Sequence, residues 1–265
     1  MTSESNLTVR QSYLWAIVLV IAGLAFILSF SIAAPILIRP LYTLRIDSMH
    51  LTQMSGLTKD QIKEAYNEVL DYCIGRTDTF SAGILPYSQS GASHFADCRR
   101  LFILDFQVLA VSAALLLING LVRLFMNRRK RLAADSNAIG SNANGGSAVG
   151  CKVGRANIYQ PSRLGSMGWP FYSGLIMLIL AALLGICSAI DFERLFLFLH
   201  GVLFPGKTNW VFDPDTDPVI NILPEEFFLQ CMIVIAVLLV GLSIVFMLTG
   251  RTKKDVVTKD SPGES

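Results

Sequence analysis

The stretch LFILDFQVLAVSAALLLINGLV, residues 101–122, carries a single charged side chain, Asp105. Three further stretches, residues 11–38, 164–190 and 227–250, carry none. A helix needs roughly 20 residues to cross about 30 Å of hydrocarbon, and each stretch is long enough. Because a single segment crosses lipid only with its backbone hydrogen bonds paired internally, each is expected to be helical. The sequence therefore predicts an all-α membrane protein with four transmembrane helices.

The composition of the whole chain agrees with this prediction. Of its 265 residues, 52% are apolar and 16% are charged, whereas soluble domains carry about 25% charged residues. The apolar content is also far too high for a disordered chain. A formal net charge of +2 provides no basic surface for phosphates, so nucleic acid is not an expected partner.

The distribution of charge predicts the orientation of the helices. A basic cluster, residues 128–131, directly follows the second stretch, and the two segments predicted on the opposite side hold 14 of the 20 acidic residues. Basic residues at the ends of transmembrane helices mark the cytoplasmic side. We therefore expect both termini to be cytoplasmic and a small head to be extracytoplasmic. Specific binding of anionic lipid is a second interpretation of the basic cluster.

These patterns divide the chain into segments. The first apolar stretch is much longer than a signal-peptide core, so we interpret it as a retained helix. The extracytoplasmic segments are the head, 39–98, with an amphipathic helix at 58–74, and 191–226. The transmembrane helices are 12–38, 99–125, 167–190 and 227–250. The cytoplasmic segments are the N-terminus, 1–11, a basic and Gly/Ser-rich loop, 126–166, with a flexible linker at 132–150, and the tail, 251–265.

The predicted amphipathic helix has a defined start and end. Thr58 and Gln61 have the spacing of a capping box, and Gly75 is a typical terminator. Apolar residues recur on one face at helical period, namely Ile62, Tyr66, Val69, Leu70 and Cys73. We expect this face to pack within a small domain, with the membrane surface as the alternative.

Candidate catalytic groups are few, because the chain has only three histidines, His50, His94 and His200. In a helix, Asp97 and Asp105 would lie on the same face as His94. An acid inside a transmembrane segment usually faces a site or another helix, and a carboxylate beside a histidine can position it as a base. We expect one polar stripe, with an interhelical hydrogen bond as the alternative for Asp105 and a surface role for His50.

The sequence lacks the patterns of metal and cofactor sites. The five cysteines do not have zinc-ligand spacing. Residues 213–218 begin like a calcium loop, but Pro218 stands where such a loop needs glycine. We therefore expect no cofactor. Cys73 and Cys98 lie on the same predicted side of the membrane and could form a disulfide there.

Several motifs, taken together, resemble one family of four-helix bacterial membrane proteins, the lipoprotein intramolecular transacylases. HFADCRRLF, residues 94–102, fits the family pattern His-(Phe/Met)-x-Asp-Val-(Lys/Arg)-x-Leu-Phe. Further matches are residues 66–72, 199–200, 210–214, 216–218 and 224–228. The chain departs from the pattern at Gly91, where many members have glutamate, at Cys98, where valine is usual, and in the basic Gly/Ser-rich loop, which resembles an insertion.

The resemblance implies an acyltransferase of the bacterial cell membrane with an extracytoplasmic catalytic face among membrane lipids. Its reaction moves the sn-2 acyl chain of a diacylglyceryl-modified bacterial lipoprotein to the α-amino group of the N-terminal cysteine. It also implies that His94 and His200 converge as an acid/base pair. We take as supporting residues Asp97, which would orient His94, Arg99, which would bind substrate oxygens or anchor the helix at the interface, Asp105, Trp210 and Asp213.

Two other functions fit parts of the sequence. A non-catalytic scaffold or partner of the envelope or lipoprotein machinery would use the head as a binding surface and would need neither histidine. A small transporter is less compatible, because four helices with a single buried acid and no interrupted helix lack a typical transport site.

Overall fold

The computed structural model describes residues 2–143, 163–164 and 167–251, with side chains described for 12–133 and 167–251. The helices are α1 (Thr2–Leu37), α2 (Pro40–Thr43), α3 (Leu51–Ser55), α4 (Lys59–Cys73), α5 (Gln89–Ala143), α6 (Trp169–Ile190), α7 (Phe192–Leu203) and α8 (Glu225–Gly250). A short 3-10 helix, Pro218–Asn221, precedes α8. Strands β1 (Arg163–Leu164) and β2 (Met167–Gly168) pair antiparallel.

Four of these helices are long and apolar enough to cross a membrane. The qualifying segments in the described part of the chain are Ser12–Leu37, Gln89–Ala133, Trp169–Ile190 and Glu225–Gly250. Many of their large apolar side chains are exposed, such as Ile21, Leu117 and Val237. Such a surface is stable in lipid and unstable in water. The prediction of an all-α membrane protein with four transmembrane helices is confirmed.

The four long helices form one bundle in which α1 contacts α5, α6 and α8. Helices α6 and α8 approach each other closely at two glycines, Gly174 beside the backbone oxygen of Ser243 and Gly250 beside the backbone of Phe171. Small residues at helix crossings let backbones approach in lipid, where packing replaces the hydrophobic effect as the driving force. The bundle therefore provides a rigid base for the segments at the end where α5 and α8 begin.

The head packs around a compact aromatic core at this end of the bundle. Tyr42 and Tyr66 stack with ring centroids 3.8 Å apart, and Phe227 meets Tyr42 edge-on at 5.1 Å. The hydroxyl of Tyr42 donates a hydrogen bond to the backbone oxygen of Ile222 at 2.7 Å. The capping box at Thr58 and Gln61 is present, and the apolar face of α4 is buried in this core. The head thus fixes the first turns of both α5 and α8.

Two elements differ from the sequence-based expectation. Helix α5 begins at Gln89, within the predicted head, and continues to Ala143, so the predicted loop 126–166 starts inside a helix. Residues 128–134 are all Arg, Lys, Leu and Ala, which have high helix propensity. Helix α7 was not predicted; its start is capped by the side chain of Asp191, which accepts a hydrogen bond from the backbone N–H of Arg194. The rest of the predicted linker, Cys151 and tail residues 252–265 lie outside the described residues.

Candidate active site

The two histidines of the predicted pair lie side by side although they come from different elements. His94 is in the second turn of α5 and His200 is near the end of α7. Their ring centroids are 6.3 Å apart and the ring planes are inclined by 30°. The third histidine, His50, is exposed at the start of α3. The structure therefore brings together the two histidines that the motifs singled out and leaves His50 outside.

Aromatic rings enclose the histidine pair. Phe204 contacts both imidazoles, at 4.9 Å from His94 and 5.7 Å from His200. Phe212 lies 5.5 Å from His94, and Trp210 lies 5.0 Å from His200. His94 is only 6% exposed, whereas His200 is partly exposed. The pair therefore lies in a cluster of aromatic rings, which we call the pocket, and His200 is the more exposed of the two histidines.

Burial favours the neutral form of both imidazoles. Burial lowers the pKa of His94 to about 4, the nearby His200 adds to the lowering, and the charge of Asp97 opposes it. Burial also lowers the pKa of His200, against a hydrogen bond to the backbone of Phe196. A neutral imidazole can accept a proton at one nitrogen and donate a hydrogen bond from the other.

The hydrogen bonds of the two rings differ. Nδ1 of His200 lies 2.9 Å from the backbone oxygen of Phe196. Because a carbonyl oxygen only accepts, Nδ1 carries the hydrogen and Nε2 of His200 is an acceptor. Nε2 of His94 lies 3.4 Å from Sγ of Cys98. Nδ1 of His94 is buried and has no hydrogen-bond partner among the described residues.

Asp97 binds a loop residue and does not orient His94 by a hydrogen bond. Nζ of Lys207 donates to both carboxylate oxygens of Asp97, at 2.5 and 2.6 Å, and Nδ2 of Asn209 donates at 3.1 Å. The hydrogen bond from Lys207 lowers the pKa of Asp97. Among the described contacts, no hydrogen bond joins Asp97 to His94, which corrects the expected orienting role. An ammonium group is a stronger partner for the carboxylate than a neutral imidazole.

Asp105 lies outside the pocket. It is two helical turns further along α5 than Asp97, about 12 Å along the axis, and the side chain of Ser29 in α1 forms a hydrogen bond to it. The alternative of an interhelical hydrogen bond is therefore the arrangement observed. The continuous polar stripe from His94 to Asp105 does not form a common site.

Arg99 faces away from the histidines. Its guanidinium donates to the backbone oxygen of Thr77 and, at 2.9 Å, to Asp78, and it lies 4.9 Å from the ring centroid of Tyr72. Arg99 therefore attaches α5 to the loop after α4. This geometry gives no support to the expectation that Arg99 binds the reacting oxygens.

Trp210 and Asp213 belong to the loop that follows α7. Trp210 packs on the ring of His200, and its Nε1 donates to the backbone oxygen of Lys207 at 3.0 Å. Asp213 is exposed, and its carboxylate accepts the backbone N–H of Asp215 at 3.0 Å. Trp210 therefore lines the pocket, while Asp213 shapes a turn away from it.

Asp217 is an organising residue that the sequence reasoning did not select. It is 4% exposed, and it accepts hydrogen bonds from the backbone N–H and the hydroxyl of Ser88, both at 2.7 Å. A Cβ on Gly91 would collide with the Asp217 carboxylate, lying 2.9 Å from its Cγ. Gly91 therefore lets this carboxylate reach the start of α5. The only signal in the sequence was the Thr-Asp-Pro motif, and nothing signalled Lys207.

The sequence model of the family described as lipoprotein intramolecular transacylase Lit matches residues 17–228. This chain belongs to that family. The match spans both histidines and every helix except the first part of α1 and the greater part of α8. The resemblance expected from the motifs is thus confirmed.

Solved structures of a Lit transacylase share the fold. The membrane-integral lipoprotein intramolecular transacylase Lit of Bacillus cereus superimposes with a TM-score of 0.70 at 23% identity, over 91% of this chain and 94% of that one. Two variants of it, in which a histidine is replaced by arginine or by alanine, give TM-scores of 0.66 and 0.65 at 22% identity. They cover 94% and 91% of this chain, and 95% and 92% of their own. No curated protein sequence matches this chain.

Membership in the Lit family decides between the functions considered above. The chain is a multi-pass membrane enzyme of the acyltransferase class, and its family acts on lipoproteins. The scaffold and transporter alternatives are therefore set aside. Within residues 12–133 and 167–251, no group of three or more His, Cys, Asp or Glu side chains is arranged to hold a metal ion.

Proposed function

We propose that this enzyme moves the sn-2 acyl chain of a diacylglyceryl-modified lipoprotein to the α-amino group of its N-terminal cysteine, by histidine acid/base catalysis. The observation that carries the proposal is the convergence of two imidazoles, His94 and His200, whose ring centroids lie 6.3 Å apart among aromatic side chains. The product would be an N-acyl, S-monoacylglyceryl lipoprotein.

The reaction needs groups that the pocket contains. The amine nitrogen forms a bond to the ester carbonyl carbon and loses a proton, and the sn-2 oxygen leaves and gains one. An imidazole can carry a proton between these two atoms. Because amine and ester belong to one molecule, holding them together provides much of the acceleration. The rings of Phe204, Phe212 and Trp210 would restrict water, which would otherwise hydrolyse the ester.

We propose that the pocket opens at the extracytoplasmic surface of the bacterial cell membrane, with both termini cytoplasmic. The basic cluster 128–131 at the far end of α5 supports this orientation. Near the pocket, α7 exposes the apolar side chains Leu197, Phe198, Val202 and Leu203. Such a face suits the lipid interface, where the acyl chains of a diacylglyceryl group would lie.

The supporting residues would act by placing the pocket walls. Asp97 would hold the loop carrying Trp210 through Lys207, and Arg99 would attach α5 to the head. Asp213 would shape the turn after Trp210, and Asp105 would pair α5 with α1. None of these roles requires direct contact with the reacting ester.

Expression in a bacterium that lacks lipoprotein N-acylation tests the proposed function. Because the product is an isomer of the substrate, intact mass does not distinguish them. Tandem mass spectrometry should find N-acylated cysteine, and the lipopeptide amine should no longer react with an amine reagent. A His94→Ala, His200→Ala double variant at equal membrane abundance is the control. A free amine in cells with the unmodified enzyme would refute the proposal.

A further inference from the structure

We propose that Cys98 is a positioning residue that keeps the hydrogen of His94 on Nδ1, so that His94 donates a hydrogen bond to the ester carbonyl oxygen while His200 alone carries the proton. The inference rests on the acyl transfer proposed above and assigns separate roles to the two histidines.

The first step of the argument is the contact between Cys98 and His94. Cys98 lies one helical turn after His94, and its Sγ is 3.4 Å from Nε2 of the ring. Cys98 is a free thiol and is not bonded to Cys73. Burial raises the pKa of this thiol, so the sulfur keeps its hydrogen. An unprotonated imidazole nitrogen is a better acceptor than a thiol sulfur. The thiol therefore donates to Nε2, and the ring hydrogen stays on Nδ1.

The second step concerns the free nitrogen of His94. Nδ1 is buried, and none of the described residues accepts a hydrogen bond from it. Buried polar groups are nearly always paired, so an unpaired one marks a place where a ligand completes the hydrogen bond. An ester carbonyl oxygen accepts hydrogen bonds and has no hydrogen to donate, so it matches an Nδ1–H group.

The third step concerns which nitrogen of His200 carries the hydrogen. Its Nδ1 hydrogen is bound by the backbone oxygen of Phe196 at 2.9 Å, so Nε2 is a proton acceptor. The pair thus offers one donor, on His94, and one acceptor, on His200. Because a second proton binds His94 only below about pH 4, His94 is not an imidazolium acid at neutral pH, and losing Nδ1–H would leave an unstable imidazolate.

The resulting sequence of bonds is balanced. As the neutral amine attacks the sn-2 carbonyl carbon, Nε2 of His200 takes one amine proton, and the carbonyl electrons move to oxygen. Nδ1–H of His94 stabilises this oxyanion without giving up its hydrogen. When the oxyanion collapses, the bond from carbon to the glyceryl oxygen breaks, and His200 gives its proton to that oxygen. A neutral imidazole can act in this way on a carbonyl.

The tautomer can be measured without any activity assay. In the full-length His50→Asn protein, uniformly labelled with ¹⁵N-histidine in lipid nanodiscs, only His94 and His200 give ring signals. We expect both rings to be protonated at Nδ1 and unprotonated at Nε2. With Cys98→Val, which removes the donor at similar volume, the His94 tautomer ratio should shift by roughly two- to tenfold, the effect of one hydrogen bond. Cys98→Ser should restore it.

Activity variants separate the two roles. In His94→Asn the amide nitrogen takes nearly the position of Nδ1, so a donor is retained. We expect His94→Ala to lose roughly 10²- to 10³-fold in kcat, and His94→Asn to recover at least a tenfold part of that loss. His200→Asn should be no better than His200→Ala, because an amide does not carry a proton.

The outcomes also distinguish this inference from the proposed function. A His94 ring protonated at Nε2, or a tautomer ratio unaffected by Cys98→Val, would overturn the inference while acyl transfer by the unmodified enzyme stands. Equal activities of His94→Asn and His94→Ala would overturn it as well. An inactive unmodified enzyme would instead refute the proposed function, and the tautomer measurement would still report on Cys98.

Discussion

Helix α5 has two parts that each carry one acid, and the parts differ in what surrounds them. In the first part, Gln89 to Arg100, Asp97 is bound by Lys207 and Asn209 from the loop after α7. In the apolar part, residues 101–122, Asp105 receives a hydrogen bond from Ser29 of α1. Helical periodicity put both acids on the face of His94. Helical periodicity therefore predicts the face of the helix on which a residue lies. The segment packed against that residue decides which contacts it makes and so what role it has.

Acid should affect the first part of α5 most, because it contains the buried neutral His94. The pKa of His94 is lowered from 6.5 to about 4. The stabilisation by neutral His94 is therefore complete above about pH 6.5 and is lost as pH falls towards about 4. A shift of this size corresponds to about 3 kcal/mol. We expect the unfolding free energy in detergent to fall more steeply with acid in the unmodified protein than in His94→Asn. An equal dependence of the unfolding free energy on pH in the two proteins would contradict the burial of a neutral His94 ring.

Gly91→Ala should disrupt the first part of α5 without touching a histidine. The new methyl group would displace the Asp217 carboxylate from Ser88, at a cost of about 2 kcal/mol in unfolding free energy. Gly120→Ala is the matched control in the apolar part of α5, where a Cβ meets no atom within 4 Å. Thermal unfolding should show a lower stability for Gly91→Ala than for the unmodified protein, and no loss of stability for Gly120→Ala. Equal effects of the two would refute the close approach of Asp217.

Asp97→Asn should weaken the link between α5 and the loop that carries Trp210. Because Lys207 is 43% exposed and can be hydrated, we expect the unfolding free energy to fall by only about 1–2 kcal/mol. The acyl-transfer rate should fall by roughly tenfold, as the pocket wall shifts. A double-mutant cycle with Lys207→Met measures the coupling. Lys63→Met, at the exposed pair with Asp60, is the control and should change neither quantity. Additive effects of Asp97→Asn and Lys207→Met would contradict the link.

Asp105→Asn should have the smallest effect, because an amide can still bond to Ser29. We expect the acyl-transfer rate to stay within about twofold and the unfolding free energy within about 0.5 kcal/mol. Kinetics and thermal unfolding of this variant, beside Asp97→Asn, compare the two acids directly. A rate as low as that of Asp97→Asn would place Asp105 in the reaction after all.

The sequence predicted the features that depend on local patterns. Four apolar stretches predicted four helices, because backbone pairing in lipid leaves no alternative. Thr58 and Gln61 predicted the start of α4, because a capping box is a local structure. The motif around His94 predicted the family and, through it, the convergence of His94 and His200.

The contacts that complete the site were not predictable in the same way. The pairing of Asp97 with Lys207, and of Asp217 with Ser88, joins segments more than a hundred residues apart, and no periodicity encodes such a contact. Helix α7 was missed because its aromatic run 192–204 also fits an irregular interfacial segment. The tautomer proposed for His94 depends on the contact between Sγ of Cys98 and Nε2 of the ring. Only the folded structure shows this contact.

The central claim is that two converging histidines perform the acyl shift, and rates on a synthetic diacylglyceryl lipopeptide test it most directly. Purified variants in lipid nanodiscs would be compared at neutral pH after their folding is verified. We expect His94→Ala and His200→Ala each to lower the rate at least about 10²-fold. His50→Asn, at the exposed third histidine, should match the unmodified enzyme. A folded His94→Ala or His200→Ala variant with the unmodified rate would contradict the claim.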